Sequence, residues 1–281
     1  MFSPVSSINP CLTTCLFVAL IIICQCTLTI NPDGIAKIIE GLKSFSAART
    51  DCINSKFLKS TRIYSSIILS KVFQQSLEHS TMPADWKIGK VIPVDKSGNK
   101  HSPNNYHPIS ITSIPCKILE HILFSHIVNF LESNSFFHHA QHGFHKSYSC
   151  KTQLVLFTHR LHTILDRHST AHCIFLNFAK AFDKVCHRLL LLKLRTIRLD
   201  TNVLKWLESF LTERQQFVAA NGTNSSLHPI LSGVPQGPLL FLIFINDLPD
   251  FVTSSIHLFA NDCVLFHEII TDDDVRAMHG K

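Results

Sequence analysis

The run Ile256-His-Leu-Phe-Ala-Asn-Asp-Cys-Val-Leu-Phe266 holds two short apolar segments, Ile256–Ala260 and Cys263–Phe266, on either side of Asn261-Asp262. Apolar segments this short around a polar pair predict a β-hairpin with a carboxylate in its turn. Working upstream, Gly233-Val-Pro-Gln-Gly237 reads as a rigid loop entering an apolar helix over Leu239–Ile245. Before it, Gln216–Ala220 and Leu227–Leu231 flank Asn221-Gly222, a strong two-residue hairpin signal. Helices are predicted over His187–Ile197 and Val203–Leu211, the second started by Asp200 or Thr201 as N-cap. Cys173-Ile-Phe-Leu-Asn-Phe178 is a compact apolar run of strand length.

The first half is more helical. Asn31-Pro32 opens a helix that runs to Leu42, with Pro at its first position. A second helix is predicted from Asn54 to Glu78, with Phe57, Leu58, Tyr64, Ile68, Leu69, Val72 and Phe73 on one side. Lys90–Asp95 reads as a strand turned by Ser97-Gly98-Asn99, followed by a loop around Pro103–Pro108. Further helices are expected over Cys116–Leu131 and Thr152–Leu165. Helices, strand, helices, hairpin, helix and hairpin in this order make an α+β fold.

Charge is distributed unevenly. Asp33 to Arg214 carries 24 basic and 13 acidic residues, a surplus of +11. Gln215 to Val275 has no Lys or Arg but seven acids. A cationic block suits a polyanion, and an acidic segment after it is a candidate for divalent metal. The ten Cys form no C-x-x-C pair and no finger-like spacing with His, which argues against structural zinc and against a disulfide framework. The 18 His include a dense group, His138, His139, His142 and His145, that fits no metal-ligand spacing. Residues 1–32 carry no charged side chain, and Leu16–Cys24 is uninterrupted apolar sequence. That length is short for a membrane span and close to the core of a signal peptide. Neither a preceding Lys or Arg nor a small-x-small cleavage site accompanies it.

Three ordered segments carry a resemblance: Ile174-Phe-Leu-Asn-Phe-Ala-Lys-Ala-Phe-Asp183, then Ser232-Gly-Val-Pro-Gln-Gly237 running into Pro238–Asp247, then Phe259-Ala-Asn-Asp262. They resemble the palm motifs of reverse transcriptases from non-LTR, jockey-like retrotransposons of arthropods. Asn105-Tyr-His-Pro-Ile-Ser110 and Gln141-His-Gly-Phe-His145 resemble finger-region motifs of the same family. The resemblance implies fingers and a partial palm of a right-hand polymerase. It divides the chain into an apolar leader (1–29), a helical N-terminal extension of the fingers (30–82) and the reverse transcriptase domain (83–281). It further implies an RNA template, a DNA primer, deoxynucleotides and Mg²⁺ or Mn²⁺. The sequence stops about twenty residues after the hairpin, so the thumb is expected to be absent.

The same resemblance marks where this chain departs. Family carboxylates that hold two metal ions correspond to Asn177, Asn261 and Asp262. Two of three are neutral amides, so metal binding is expected to be weak and to rest on Asp262 alone. His107 and His145 stand where the family has Arg, the first gripping the incoming triphosphate, the second expected on nucleic acid. An imidazole cannot replace that fixed bidentate charge. The segment between Gly237 and Pro238 is about four residues shorter than the family pattern, and Arg49 and Cys52 fall where glycine is usual. By the genetic code each Asp-to-Asn or Arg-to-His difference can arise from one G-to-A transition, a pattern expected of mutational decay. Matching positions that survive are Phe182 under the sugar, Pro235, Gln236 and Gly237 beside the nucleotide, and Lys96 and Lys90 facing phosphate. Three functions follow as alternatives: a disabled polymerase domain, a nucleic-acid-binding remnant, or a membrane-associated protein directed by residues 11–28. The family implies a nuclear or cytoplasmic location, the apolar segment a membrane or secretory one.

Overall fold

The protein is described here by a computed structural model covering residues 28–43 and 51–271, except positions 97, 100, 101, 103, 104, 198, 236 and 237, together with Asp274. The apolar segment 11–28 lies outside the described residues but for Leu28.

Helix α1 (Pro32–Gly41) begins as predicted, the side chain of Asn31 accepting from the Asp33 amide. The predicted helix 54–78 is two helices, α2 (Ser55–Ser60) and α3 (Arg62–Glu78), broken at Thr61. Its buried face also differs from expectation. Leu58, Leu69 and Phe73 are buried, whereas Phe57, Tyr64 and Ile68 are exposed together with Ile63 and Ile67. In their place α3 buries Ser65, Ser66, Ser70 and Ser76. The hydroxyls of two of them are satisfied within the helix: Ser66 donates to the Ile63 carbonyl and Ser70 to that of Ile67, each at 2.8 Å.

Strand β1 (Ile88–Asp95) pairs antiparallel with β2 (Tyr106–Ile111) and parallel with β4 (Gln215–Ala220). The span predicted as a loop around Pro103–Pro108 is therefore partly strand. Pro108 sits opposite Pro93, a place where neither backbone can donate, so the pair costs no hydrogen bond that either residue could have made. β4 turns at Asn221-Gly222 into β5 (Thr223–Asn224), with φ of 50° and 78° at the two turn residues. The second arm predicted over Leu227–Leu231 is reduced to β6 (His228–Pro229), which pairs with the start of β4. The chain between is drawn in by Ser225, whose backbone and hydroxyl both bond Val218.

The second sheet has the order β3–β8–β7, from β3 (Thr170–Asn177), β7 (Ser255–Phe259) and β8 (Asp262–Ile269), all antiparallel neighbours. Helix α5 (Cys150–Asp166) lies against it through Phe157, whose ring meets Phe175, His257 and Phe266 edge-on. A single apolar core joins the rest. It runs from Ile30 through α3 and α4 (Ile114–Ser133) to α6 (His187–Thr196), α7 (Thr201–Leu211) and α8 (Pro238–Ile245). Asp200 caps α7, accepting from the amides of Asn202 and Val203. α8 begins at Pro238 itself, a first helical position that proline tolerates. Lys193 of α6 bonds the Phe244 carbonyl and Asp247 at the other end of α8, where a cation favours the helix dipole. α4 is long and apolar enough to cross a membrane, yet it is a core helix here, with Ile118, Leu119, Leu123, Ile127 and Leu131 fully covered.

Candidate active site

Register alone brings the three predicted positions together. Asn177, last residue of β3, lies opposite Asp262, first residue of β8, and Asp262 closes the β7–β8 hairpin against Phe259. The two-residue turn is thus Ala260-Asn261, one position earlier than expected, and Asp262 belongs to the strand. Ala260 adopts φ +56°, which supplies the left-handed first turn residue that such hairpins require. Asn177 donates its amide N–H to the Asp262 carboxylate at 2.6 Å, and Asn261 donates to the Asn177 oxygen at 3.5 Å. The Phe178 amide bonds the Asn261 carbonyl at 3.3 Å, fixing the turn against the end of β3.

This geometry suits polar amides better than metal. The neutral amide of Asn177, between an acceptor and a donor, turns its N–H toward the carboxylate and its oxygen toward the Asn261 amide. The opposite orientation would set oxygen against oxygen. Asp262 therefore meets a donor where a cation would need a second negative ligand. Among the described residues no group of three or more His, Cys, Asp or Glu could hold a metal ion. The set does not fit a two-metal centre, which needs carboxylates that bridge both ions.

Beside the tip, the loop before α8 lies on the segment after β3. Phe182, in a short 3-10 turn, rests its ring on Phe241 of α8 with centroids 4.6 Å apart, and its carbonyl accepts from the Val234 amide. Gly233 has φ +91°, and a Cβ there would sit 2.8 Å from the Asp183 carbonyl oxygen, so glycine is required twice over. Ser232 donates to that carbonyl, and the His187 ring sits 2.6 Å from the Gly233 oxygen. Pro235 continues this loop, while Gln236 and Gly237 lie outside the described residues.

Lys90, Lys96 and His107 belong to the other sheet. Lys90, Ile92 and Val94 alternate onto one face of β1, and their partners Ile111, Ile109 and His107 share it. His107 is exposed there. Lys96 is exposed just past the strand, its amide bonded to the Asn105 carbonyl. His145 is half-buried between Phe137 and Tyr148, with its Nδ1 buried and without a partner. Cys52, in the stretch where glycine is usual, has φ +56°, a backbone state that favours glycine.

The dense histidine group packs against the second sheet. His142 stacks on His257 with ring centroids 6.0 Å apart, and His142 Nε2 and His257 Nδ1 are buried without partners. Burial pushes the His257 imidazole down to about 4, helped by nearby His142, Arg160 and His139. Burial lowers His142 and His138 as well. These bases stay neutral in the folded chain but charge near pH 6.5 when unfolded. Stability is therefore full above about pH 6.5 and falls as pH drops toward 4. His257 alone should remove about 2 kcal/mol between roughly pH 6.5 and 5. Urea unfolding at about pH 7 and 5 measures this, and His257→Phe should shrink the difference. An equal midpoint at both pH values would contradict it.

The motif segments contain both Gln141 and Asn246, and sequence reading gave neither a role. Both prove to be ties. Gln141 bonds the hairpin tip, and Asn246, after α8, accepts from the His138 amide and donates to the Phe136 carbonyl. The available signal was Gly143, a glycine two positions after a buried amide.

Residues 95–279 match the family model described as reverse transcriptase (RNA-dependent DNA polymerase). Among curated relatives, the "Probable RNA-directed DNA polymerase from transposon BS" of Drosophila melanogaster is 26% identical over 80% of this chain and 26% of its own length. The corresponding X-element protein of Drosophila melanogaster is 27% identical over 84% of this chain and 27% of its own. The RNA-directed DNA polymerase from mobile element jockey of the same species is 26% identical over 77% and 24%. The chain spans about a quarter of the length of these relatives. With the β7–β8 hairpin against the end of β3, with the loop before α8 on the segment that follows β3, and with two thirds of its residues matched, this chain belongs to the reverse transcriptase family.

Proposed function

We propose that this chain is the polymerase core of a non-LTR retrotransposon reverse transcriptase that has lost the ability to assemble its metal pair. The first sheet would be the fingers, the second the palm, as the order of motifs along the chain and the meeting of Asn177 with the hairpin support. The observation that carries the inactivity is the amide of Asn177 bonded to the carboxylate of Asp262. Two doubly charged ions facing one carboxylate would repel one another with little compensation, and Mg²⁺ sheds water reluctantly. No step of nucleotidyl transfer can be routed through this set. Phe182, Pro235, Gln236 and Gly237 would still shape a deoxynucleotide pocket, with His107 and Lys96 a weakened phosphate grip.

Nucleic-acid binding without chemistry is the second reading, favoured by the +11 block and by the exposed face bearing Lys90 and His107. RNA template and DNA primer would then be held through phosphates, without sequence preference and with strong salt dependence. The membrane reading rests on residues 11–28 and gains no support from the described residues. Templated primer extension tests the leading reading: none is expected from the chain as it stands.

A further inference from the structure

Gln141 is buried, 2% exposed, between the loop that precedes α5 and the tip of the β7–β8 hairpin. Its Oε1 accepts from the Gly143 amide at 2.8 Å and from the Ala260 amide at 2.9 Å, and its Nε2 faces the Ala260 carbonyl at 3.5 Å. The backbone on either side follows β7 like a short extra strand. The His142 amide bonds the Leu258 carbonyl, and the Leu258 amide bonds the Ala140 carbonyl, both at 2.8 Å. Gly143 is pressed so closely on the tip that a Cβ there would lie 2.3 Å from the Ala260 nitrogen.

Ala260 holds φ +56°, a region where glycine is at home and alanine is not. Such a conformation persists when its surroundings over-determine it. Beyond the end of β7 the Ala260 amide donates to the Gln141 side chain, whose primary amide offers the same donor and acceptor as a peptide. At its other end the same loop is fastened to Asn246 through His138 and Phe136. Residues 136–143 thus link the end of α8 to the hairpin tip.

We propose that Gln141 is a positioning residue for the hairpin tip. Gripping the backbone of Ala260, it fixes where Asn261 and Asp262 stand relative to Asn177, and so sets the metal affinity the tip has once its carboxylates are present. The inference rests on the reading of this tip as the family's metal-facing element. Gln141 itself would not touch metal, because its oxygen is already shared by two backbone amides.

The test has two arms, each comparing the full chain with Gln141→Leu and Gln141→Glu. Leu keeps the bulk and removes the acceptor. Glu keeps an oxygen for both amides, and its second oxygen can hold a proton toward the Ala260 carbonyl. In the first arm, amide hydrogen exchange is followed over residues 257–263. Gln141→Leu should raise exchange of the Ala260 amide by about tenfold or more, with Gln141→Glu close to the parent. In the second arm, Mn²⁺ is titrated into the Asn177→Asp/Asn261→Asp chain with each residue at 141. Leu should weaken binding by about tenfold, and Glu should leave it within about twofold. A residue that merely supported the fold would lower the melting temperature without this split in Mn²⁺ affinity. Unchanged exchange in Gln141→Leu, or equal loss with Glu and Leu, would overturn the proposal. If the carboxylate-restored chain with Gln141 intact binds no Mn²⁺, the metal reading fails and exchange alone decides the clamp. Should Gln141→Leu not fold, Gln141→Asn, whose amide falls one methylene short, replaces it with the same expectation in both arms.

Discussion

Restoring two carboxylates, Asn177→Asp together with Asn261→Asp, should raise divalent-ion affinity by roughly 100-fold or more. Asn177 and Asp262 already face one another across β3 and β8, and the Asn261 side chain already reaches Asn177. The substitution changes charge far more than shape. It removes the N–H that now occupies Asp262, and three carboxylates left close together repel one another until a cation joins them. Mn²⁺ titration of the parent and the double variant measures the gain, and each single variant should fall between them. Equal affinity in parent and double variant would show that the backbone at the tip, and not the lost charges, limits binding. Full processive synthesis is not expected of the double variant: on the proposed reading, His107 and the loop before α8 would act on the nucleotide and not on the metal.

The largest loss of stability should come from Trp206→Ala, about 3–5 kcal/mol. Trp206 is fully buried, its ring stacks on Phe210 at 5.2 Å, and its Nε1 donates to the Ser76 hydroxyl at 2.9 Å. Ser76 in turn donates to the Thr81 carbonyl, so a single side chain ties α7 to the end of α3 and to the turn beyond. Trp206→Phe would keep much of the burial and lose only the N–H, at a cost nearer 1–2 kcal/mol. Urea denaturation at neutral pH separates the two. A loss below about 1 kcal/mol for the alanine variant would mean that α3 and α7 are not held together here. This variant should also lower the stability of the carboxylate-restored chain by the same amount, since the two sites share no contact partner.

Much of this arrangement was legible from residues. Asn31 and Asp200 start their helices because a short polar side chain beside an apolar periodic run has one economical use, and Asn221-Gly222 turns β4 as its residue types demand. The three positions that meet, Asn177, Asn261 and Asp262, were legible through the family resemblance of the segments that carry them, not through their apolar pattern. The details of the site were not. The turn slipped by one because Ala260 takes a left-handed φ that composition gives no reason to expect, and the contacts enforcing it come from Gln141, far away in sequence. The buried face of α3 was misread because hydrophobicity points to Tyr64 and Ile68, whereas the helix buries Ser65, Ser66, Ser70 and Ser76 against its neighbours. Strand β2 was missed because Pro103 and Pro108 mark a loop, yet Pro108 faces Pro93 where no donor is needed. Pairing across the chain decided each of these, and no local window contains it.

The most direct measurement is templated primer extension by the unmodified chain, with an RNA template, a DNA primer, deoxynucleotides and Mg²⁺ or Mn²⁺, beside the Asn177→Asp/Asn261→Asp variant. With Asp262 as the single carboxylate among the three family positions, the unmodified chain should add no nucleotide with either ion. Template-dependent extension by the unmodified chain, abolished by Asp262→Ala, would contradict the claim that Asn177 and Asn261 disable the site.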